Sequence, residues 1–106
     1  MNVPEIDLED AKQAFDGGGA TFMDIRDPKS HAQAHIPGAH HLTSKGDMDQ
    51  LCADTAFDAT VIVYCYHGNS SKGVTQYLLD QGFTNVQSLT GGFEAWRLSY
   101  DVETDG

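Results

Sequence analysis

Cys65 is the residue in this sequence with the clearest capacity for covalent chemistry. It follows four β-favouring residues, Val61 to Tyr64, and it opens a polar segment that contains glycine, asparagine and two serines. An apolar run without alternation is typical of a parallel strand that is buried on both faces. Beyond the polar segment the apolar residues recur at helical spacing, and Gly82 stands where that helix would end in a left-handed cap. The stretch therefore predicts a strand, a loop that starts at a cysteine, and a helix.

This arrangement activates a thiol. A cysteine at the carboxyl end of a parallel strand faces backbone N–H groups of the loop and the positive end of the following helix dipole. Such surroundings lower the pKa of a thiol and also bind anions. The alternative is that Cys65 is a small buried hydrophobe at the end of a strand. The glycine-rich polar loop behind it argues for chemistry, because such a loop has no role in packing.

We assign catalysis to Cys65 and substrate or anion binding to the seven residues that follow it: Tyr66, His67, Gly68, Asn69, Ser70, Ser71 and Lys72. The role of His67 is open between a polar contact and plain exposure to solvent. The two serines are expected to cap the helix, and either could also donate to bound sulfur. Lys72 either accompanies a bound anion or is a solvated surface lysine.

Other polar residues are expected to be structural. Arg26 lies between Asp24 and Asp27 at the end of a predicted strand. It could reach the active loop, but an Arg–Asp pair that fixes neighbouring loops is the favoured interpretation. His31 and His35 have a spacing that can chelate a metal, but they lack a third-ligand pattern, so no metal site and no cofactor is predicted. Cys52 is expected to be packed or half-exposed, with a resolving thiol as a minor alternative.

The rest of the chain alternates strands with helices. Strands are predicted at Ile6, at Ala20 to Ile25 and at Val86 to Leu89, with a short extended piece at Ala39 to Leu42. Helices are predicted after Asp7, from Asp27 to about His35, from Asp47 to Ala53 and from Phe93 to Leu98. This alternation predicts an α/β fold with a central parallel sheet of about five strands and helices on both faces. Sites in such folds lie at the carboxyl ends of the strands.

Length and charge limit the possible functions. The chain has 106 residues, which suits one domain over residues 1–106, and its acidic end from about Tyr100 is expected to be a loose tail. The formal net charge of −10 disfavours nucleic acids and anionic membranes as partners. Two cysteines thirteen positions apart indicate neither a disulfide scaffold nor a CxxC redox pair. With no leader pattern and no long apolar stretch, we expect a cytoplasmic protein.

Four motifs resemble one family. Cys65 to Gly73 is similar to the active-site loop of single-domain rhodaneses, most closely the GlpE-type thiosulfate sulfurtransferases. Met23 to Asp27 resembles the family's first conserved strand end, His35 to Ala39 its second motif, and Gly91 to Trp96 its carboxy-terminal motif. The motifs stand in the family's order and cover nearly the whole chain. The resemblance implies a single rhodanese-like domain.

The resemblance also implies a reaction. Cys65 would take the outer sulfur of thiosulfate as a persulfide, release sulfite, and pass the sulfur to cyanide or to a thiol acceptor such as thioredoxin. The segment from Tyr66 to Ser70 carries no lysine or arginine, unlike the loop of two-domain rhodaneses. The donor could therefore be a different sulfane-sulfur compound, such as a persulfide.

Two other functions remain open at this point. One is a persulfide carrier that docks on a partner and turns thiosulfate over poorly. The other is a cysteine-based phosphatase or arsenate reductase, but phosphatases of this kind need an arginine six positions after the cysteine, where this chain has Ser71.

Overall fold

The computed structural model describes residues 3–42 and 44–104. Its five strands are β1 (Glu5–Ile6), β2 (Ala20–Asp24), β3 (His40–His41), β4 (Thr60–Tyr64) and β5 (Val86–Leu89). Its five helices are α1 (Leu8–Gly17), α2 (Pro28–Gln33), α3 (Lys45–Asp54), α4 (Ser70–Asp80) and α5 (Gly92–Ser99). The strands form one sheet in the order β1-β5-β4-β2-β3, and every pairing is parallel. The predicted fold class is confirmed.

Strand β4 lies at the centre of the sheet, between β5 and β2. Successive side chains of a strand point to opposite faces, and here both faces are covered. Ile62 and Tyr64 pack with Trp96 on one face, while Val61 and Val63 pack with Leu78 on the other. All of these side chains are fully buried, which explains why the strand reads as an unbroken apolar run.

Most helix boundaries follow local signals in the sequence. The Asp7 carboxylate accepts a hydrogen bond from the Asp10 N–H at the start of α1, and Gly18 ends that helix in the left-handed conformation. The Asp27 side chain caps α2 in the same way, with Pro28 at its first position. Helix α2 ends at Gln33 and is therefore shorter than predicted. The side chain of Ser44 caps α3, so this helix begins at Lys45, two residues before the predicted start at Asp47.

The acidic end of the chain, which was expected to be a loose tail, is hydrogen-bonded to the rest of the domain at Glu103. His35 and Glu103 exchange two backbone hydrogen bonds of 2.9 and 2.8 Å in an isolated antiparallel bridge. The His35 ring also lies 3.0 Å from the Glu103 carboxylate. Residues 105 and 106 of the expected tail lie outside the described residues.

Candidate active site

Cys65 directly follows the last residue of β4, at the carboxyl edge of the sheet. This is the edge where ligand sites occur in open parallel sheets. The residue is 7% exposed, so little of its surface meets solvent. The loop from Tyr66 to Asn69 then leads into α4 at Ser70.

The loop surrounds the sulfur with hydrogen-bond donors. The backbone N–H of Gly68 lies 3.2 Å from Cys65 Sγ and that of Ser71 lies 3.4 Å from it. The Ser71 hydroxyl oxygen is 3.5 Å from the same sulfur. Gly68 has a φ of +93°, a conformation that favours glycine, and this turn directs its N–H at the sulfur.

The predicted capping role of Ser70 and Ser71 is wrong. Asn69 holds the N-cap position of α4, its side chain makes no capping bond, and both serines lie inside the first turn. The Ser71 N–H, which a capping side chain would normally satisfy, instead points at Cys65 Sγ. The sulfur therefore takes the place of the cap at this helix, where the helix dipole favours negative charge.

These contacts lower the pKa of Cys65. Burial by itself raises the pKa of the thiol, but hydrogen bonds from the Ser71 hydroxyl and from the backbone N–H groups of Ser71, Gly68 and His67 outweigh burial. The result is a pKa below the ordinary value of a cysteine. By contrast, burial and the charge of Asp49 raise the pKa of Cys52, which is partly exposed on α3. The thiolate is the nucleophilic form of cysteine, and the two pKa directions favour it at Cys65 rather than at Cys52.

The start of helix α5 is hydrogen-bonded to the backbone of Cys65 and of the loop that follows it. The Phe93 N–H donates to the carbonyl of Cys65 at 2.8 Å, and the Glu94 N–H donates to the carbonyl of Tyr66 at 3.0 Å. Gly92 precedes them with a φ of +59°, and a Cβ there would overlap the same two carbonyl groups. The close approach of α5 to the loop thus requires glycine at this position.

A cavity of about 240 Å³ opens beside the sulfur. It is lined by residues of the β2 end and of the loop: Ile25, Arg26, Asp27, Cys65, Tyr66, His67, Asn69 and Ser70. Two larger cavities, of about 600 and 430 Å³, have no cysteine among their lining residues in the described parts of the chain. The smaller cavity is the candidate active site because Cys65, the thiol with the lowered pKa, lines it.

Arg26 forms a buried wall of this cavity. Its Nε and Nη2 donate to the two carboxylate oxygens of Asp24 at 2.9 and 2.6 Å, which makes the predicted Arg–Asp pair. The guanidinium also lies 4.1 Å from the centre of the Phe93 ring and 5.1 Å from that of Tyr66. The pair therefore connects the end of β2 both to α5 and to the loop.

Tyr66 is attached to α2 at the mouth of the site. Its hydroxyl donates to Ser30 Oγ at 2.6 Å, and Ser30 Oγ donates in turn to the Asp27 carboxylate at 2.7 Å. Tyr66 is still 39% exposed. The hydroxyl end of Tyr66 is therefore held in place, and Tyr66 forms part of the rim of the cavity.

The remaining predicted site residues are placed as follows. His67, Asn69 and Ser70 are exposed and line the cavity, while Gly68 acts through its backbone. Lys72 does not line it: its Nζ lies 3.7 Å from the Glu5 carboxylate on β1. This position favours the interpretation of Lys72 as a surface lysine.

Three histidine side chains stack on one another at α2 and in the segment that follows it. The His31 ring stacks on those of His35 and His41, with centroid separations of 3.9 and 4.3 Å. His31 Nδ1 lies 2.8 Å from the Asp24 carboxylate, so the stack adjoins the Arg–Asp pair. Within residues 3–42 and 44–104, no three or more histidine, cysteine and acidic side chains are arranged to hold a metal ion. In the same ranges, no helix has both the length and the apolar character needed to cross a bilayer.

The sequence favours an Arg–Asp pair for Arg26 over a contact with the active loop. Arg26 makes that pair and also lines the cavity. Ser88 of β5, whose hydroxyl oxygen lies 2.6 Å from that of Ser71, is a residue of the site that the sequence patterns did not identify. A serine next to Leu89 in a strand predicted to be buried was the available signal for Ser88, since an isolated polar group there needs a partner.

Comparison with solved structures shows the fold. A Bacillus halodurans protein is 24% identical, with a TM-score of 0.81 over 97% of this chain and 78% of that one. A rhodanese-related protein from Thermoplasma volcanium is 22% identical, with a TM-score of 0.79 over 94% of this chain and 97% of that one. A Rhodopseudomonas palustris protein described as a possible tyrosine phosphatase is 25% identical, with a TM-score of 0.79 over 95% of this chain and 85% of that one.

The sequence itself matches one family model. The model of the rhodanese-like domain matches residues 7–99, which include all five helices, the strands β2 to β5 and the loop that surrounds Cys65. The order of the motifs, the all-parallel sheet and the cysteine at the end of its central strand agree with that match. The chain belongs to the rhodanese-like domain family.

Proposed function

We propose that this protein is a thiosulfate sulfurtransferase that works through a persulfide on Cys65. Rhodanese-like domains in general carry out sulfur transfer or related cysteine-based chemistry, so the family supports the class of reaction. The observation that carries the proposal is the set of donors around Cys65 Sγ. Two backbone N–H groups and one hydroxyl lie within 3.5 Å of a sulfur whose pKa is lowered.

The reaction has two steps. The Cys65 thiolate attacks the outer sulfur of thiosulfate, a new S–S bond forms, and the S–S bond of thiosulfate breaks as its electron pair leaves with sulfite. Cyanide or a thiolate acceptor then attacks the outer sulfur of the persulfide and regenerates the Cys65 thiolate. This is covalent catalysis in which the enzyme alternates between two forms. The loop N–H groups are fixed before the reaction begins, so they stabilise negative charge without reorganisation.

The walls of the cavity have opposing charges. Arg26 lines the cavity, but its guanidinium is paired with the buried Asp24 carboxylate at 2.6 Å and therefore adds little net positive charge. The carboxylate of Asp27 lines the same cavity and opposes a dianion. The loop N–H groups support an anionic donor, whereas Asp27 and the net charge of −10 favour a less charged donor such as a persulfide. The donor is therefore tested directly, with thiosulfate first.

A neighbour's description makes phosphate esters a second class of substrate to test. The Rhodopseudomonas palustris protein is described as a possible tyrosine phosphatase. In this chain the position where such enzymes need arginine is Ser71, which is fully buried and bonded to Ser88. Because this position has no guanidinium to bind phosphate with two hydrogen bonds, we expect no phosphatase activity.

The test is the intact mass of the purified protein before thiosulfate, after thiosulfate, and after subsequent cyanide. We expect wild type to gain one sulfur, about 32 Da, and to lose it to cyanide with formation of thiocyanate. Cys65→Ser should gain nothing, while Cys52→Ser should behave as wild type. If wild type gains no sulfur from thiosulfate but does from a low-molecular-weight persulfide, thiosulfate is excluded as the donor. A gain of mass in Cys65→Ser would refute the assignment of the nucleophile.

Turnover separates an enzyme from a carrier. Steady thiocyanate production with thiosulfate and cyanide is expected for the enzyme, at a rate that depends on Cys65. A persulfide that forms once and is released only to a partner's thiol, such as thioredoxin, would instead support the carrier alternative.

A further inference from the structure

Two buried hydroxyls lie in a row behind the sulfur of Cys65. Ser71 Oγ is 3.5 Å from Cys65 Sγ on one side and 2.6 Å from Ser88 Oγ on the other. Ser71 and Ser88 are both 0% exposed. We propose that Ser88 is a positioning residue, whose hydroxyl donates to Ser71 and so keeps the Ser71 hydroxyl directed at the Cys65 thiolate. The proposal deepens the function proposed above and rests on it for its biological meaning.

The direction of the hydrogen bonds follows from counting protons. Each hydroxyl has one proton, so only one of the two serines can donate across the 2.6 Å contact. Within the described residues, the Ser88 hydroxyl has no hydrogen-bond partner other than Ser71 Oγ. If Ser71 donated to Ser88, the Ser88 proton would be buried without an acceptor, which is unfavourable. When Cys65 is the thiolate, Ser88 therefore donates to Ser71 and the Ser71 proton is left for the sulfur, whereas in the neutral thiol the Cys65 S–H donates to Ser71 Oγ.

The negative charge of the Cys65 thiolate favours the same direction of hydrogen bonding, from Ser88 to Ser71 to the sulfur. A thiolate can only accept hydrogen bonds, and the other donors to it are backbone N–H groups that the loop holds in place. The Ser71 hydroxyl is the one side-chain donor in this set, and its proton can rotate about the C–O bond. Accepting a bond from Ser88 fixes that rotation and strengthens the bond that Ser71 donates, because hydrogen bonds in a chain polarise one another.

Packing does not explain a serine at this position. Ser88 pairs in register with Val63 of β4 and lies between Gln87 and Leu89 on β5, in the buried middle of the sheet. An alanine or valine would suit those surroundings better than a hydroxyl, whose burial costs free energy unless it is hydrogen-bonded. The contact with Ser71 provides that bond and connects β5 to the reactive thiol.

The test measures the pKa of Cys65 without any sulfur donor. The rate of alkylation by iodoacetamide is followed against pH by intact mass, in a Cys52→Ala background. We expect Ser88→Ala to raise the pKa by about half a unit, which slows alkylation about threefold below the pKa. Ser71→Ala should raise it by about one unit, and the double variant no further than Ser71→Ala alone, because Ser88 acts through Ser71.

A matched control is available on α4. Thr75 is also fully buried, and its hydroxyl donates to the Ser71 carbonyl at 2.8 Å rather than to the Ser71 hydroxyl. Thr75→Ala should leave the pKa of Cys65 unchanged, whereas a general loosening of the sheet and helix would move it. An unchanged pKa in Ser88→Ala, or additive shifts in the double variant, would overturn the proposal. Because alkylation needs no thiosulfate, this result is independent of whether the protein transfers sulfur.

Discussion

At the scale of single residues, Asp24 carries more hydrogen bonds than its position at a strand end suggests. Its buried carboxylate accepts three hydrogen bonds from the Arg26 side chain and one from the Arg26 backbone N–H, and it accepts another from the Tyr64 hydroxyl at 3.0 Å. His31 Nδ1 completes the group at 2.8 Å. Burial raises the pKa of Asp24, but the hydrogen bonds from Arg26 and His31 outweigh it and hold the pKa below its ordinary value of 3.8.

We predict that Asp24→Asn destabilises the protein by about 3 kcal/mol at neutral pH. The change removes one partner of a buried ion pair and leaves the Arg26 charge without its counter-ion. The measurement is the free energy of unfolding in urea. Asp16→Asn is the control, since Asp16 is exposed in its pair with Lys12 and should cost no more than about 0.5 kcal/mol.

The difference between wild type and Asp24→Asn depends on pH in a defined direction. A carboxylate whose pKa is lowered by folding stabilises the native state above its unfolded-state pKa, and this stabilisation is lost as the pH falls through the folded-state value. The two proteins should therefore converge in stability only below about pH 4, since the lowered pKa of Asp24 starts from 3.8. A difference that already vanished at pH 6 would contradict this account.

At the scale of elements, the loop that surrounds Cys65 depends on the start of α5. The N–H groups of Phe93 and Glu94 bind the carbonyls of Cys65 and Tyr66, and Gly92 allows the two backbones to approach. The loop carbonyls are therefore held on one side, which leaves the loop N–H groups directed at the sulfur on the other. A helix that begins 27 positions after Cys65 thus fixes the shape of the loop.

We predict that Gly92→Ala destabilises the protein by about 2 kcal/mol or more and slows alkylation of Cys65. The added Cβ overlaps the Cys65 and Tyr66 carbonyls, and alanine rarely adopts a φ of +59°. Urea unfolding and the alkylation rate by intact mass measure the two effects.

Gly73→Ala is the matched control for Gly92→Ala. Gly73 lies within α4, and a Cβ there would meet no atom within 4 Å. Alanine should stabilise that helix by up to about 1 kcal/mol and leave the loop intact. Equal stability of the two variants would argue against the close approach of α5 to the loop.

At the scale of the whole molecule, the net charge of −10 opposes every anionic reagent that approaches the site. The radius of gyration is 12.5 Å. The Debye length is about 30 Å at 10 mM salt and about 8 Å at 150 mM. At low salt an approaching anion therefore meets the charge of the entire molecule, and at physiological salt it meets mainly the charges that line the cavity.

We predict that added salt favours anionic reagents at Cys65. The ratio of alkylation rates with iodoacetate and iodoacetamide should rise at least about twofold between 10 and 150 mM sodium chloride, as screening hides the distant acids. Iodoacetamide is the internal control because it is uncharged and delivers a similar group to the same sulfur. A ratio that fell with salt would mean that Arg26 and the loop dominate the field even at long range.

The sequence alone was sufficient for the features that are encoded locally. The apolar run of β4, the carboxylate caps of Asp7 and Asp27, and the glycine that ends α1 each act within a few residues, so the elements and their order followed from pattern. The parallel sheet followed from the alternation of strands and helices. The sequence was also sufficient to place Cys65 at the end of a strand and to predict the loop that follows it.

Only the tertiary structure decided which distant side chains meet at the site. Ser88 reaches Ser71 across seventeen positions, and the Arg26 ring contacts and the bond between His35 and Glu103 likewise join separate elements. Local pattern also misplaced Ser70 and Ser71, because it could not show that a sulfur satisfies the first turn of α4. The backbone course follows from interactions between near neighbours in the chain, whereas side-chain contacts between elements depend on register and packing, which a single sequence does not display.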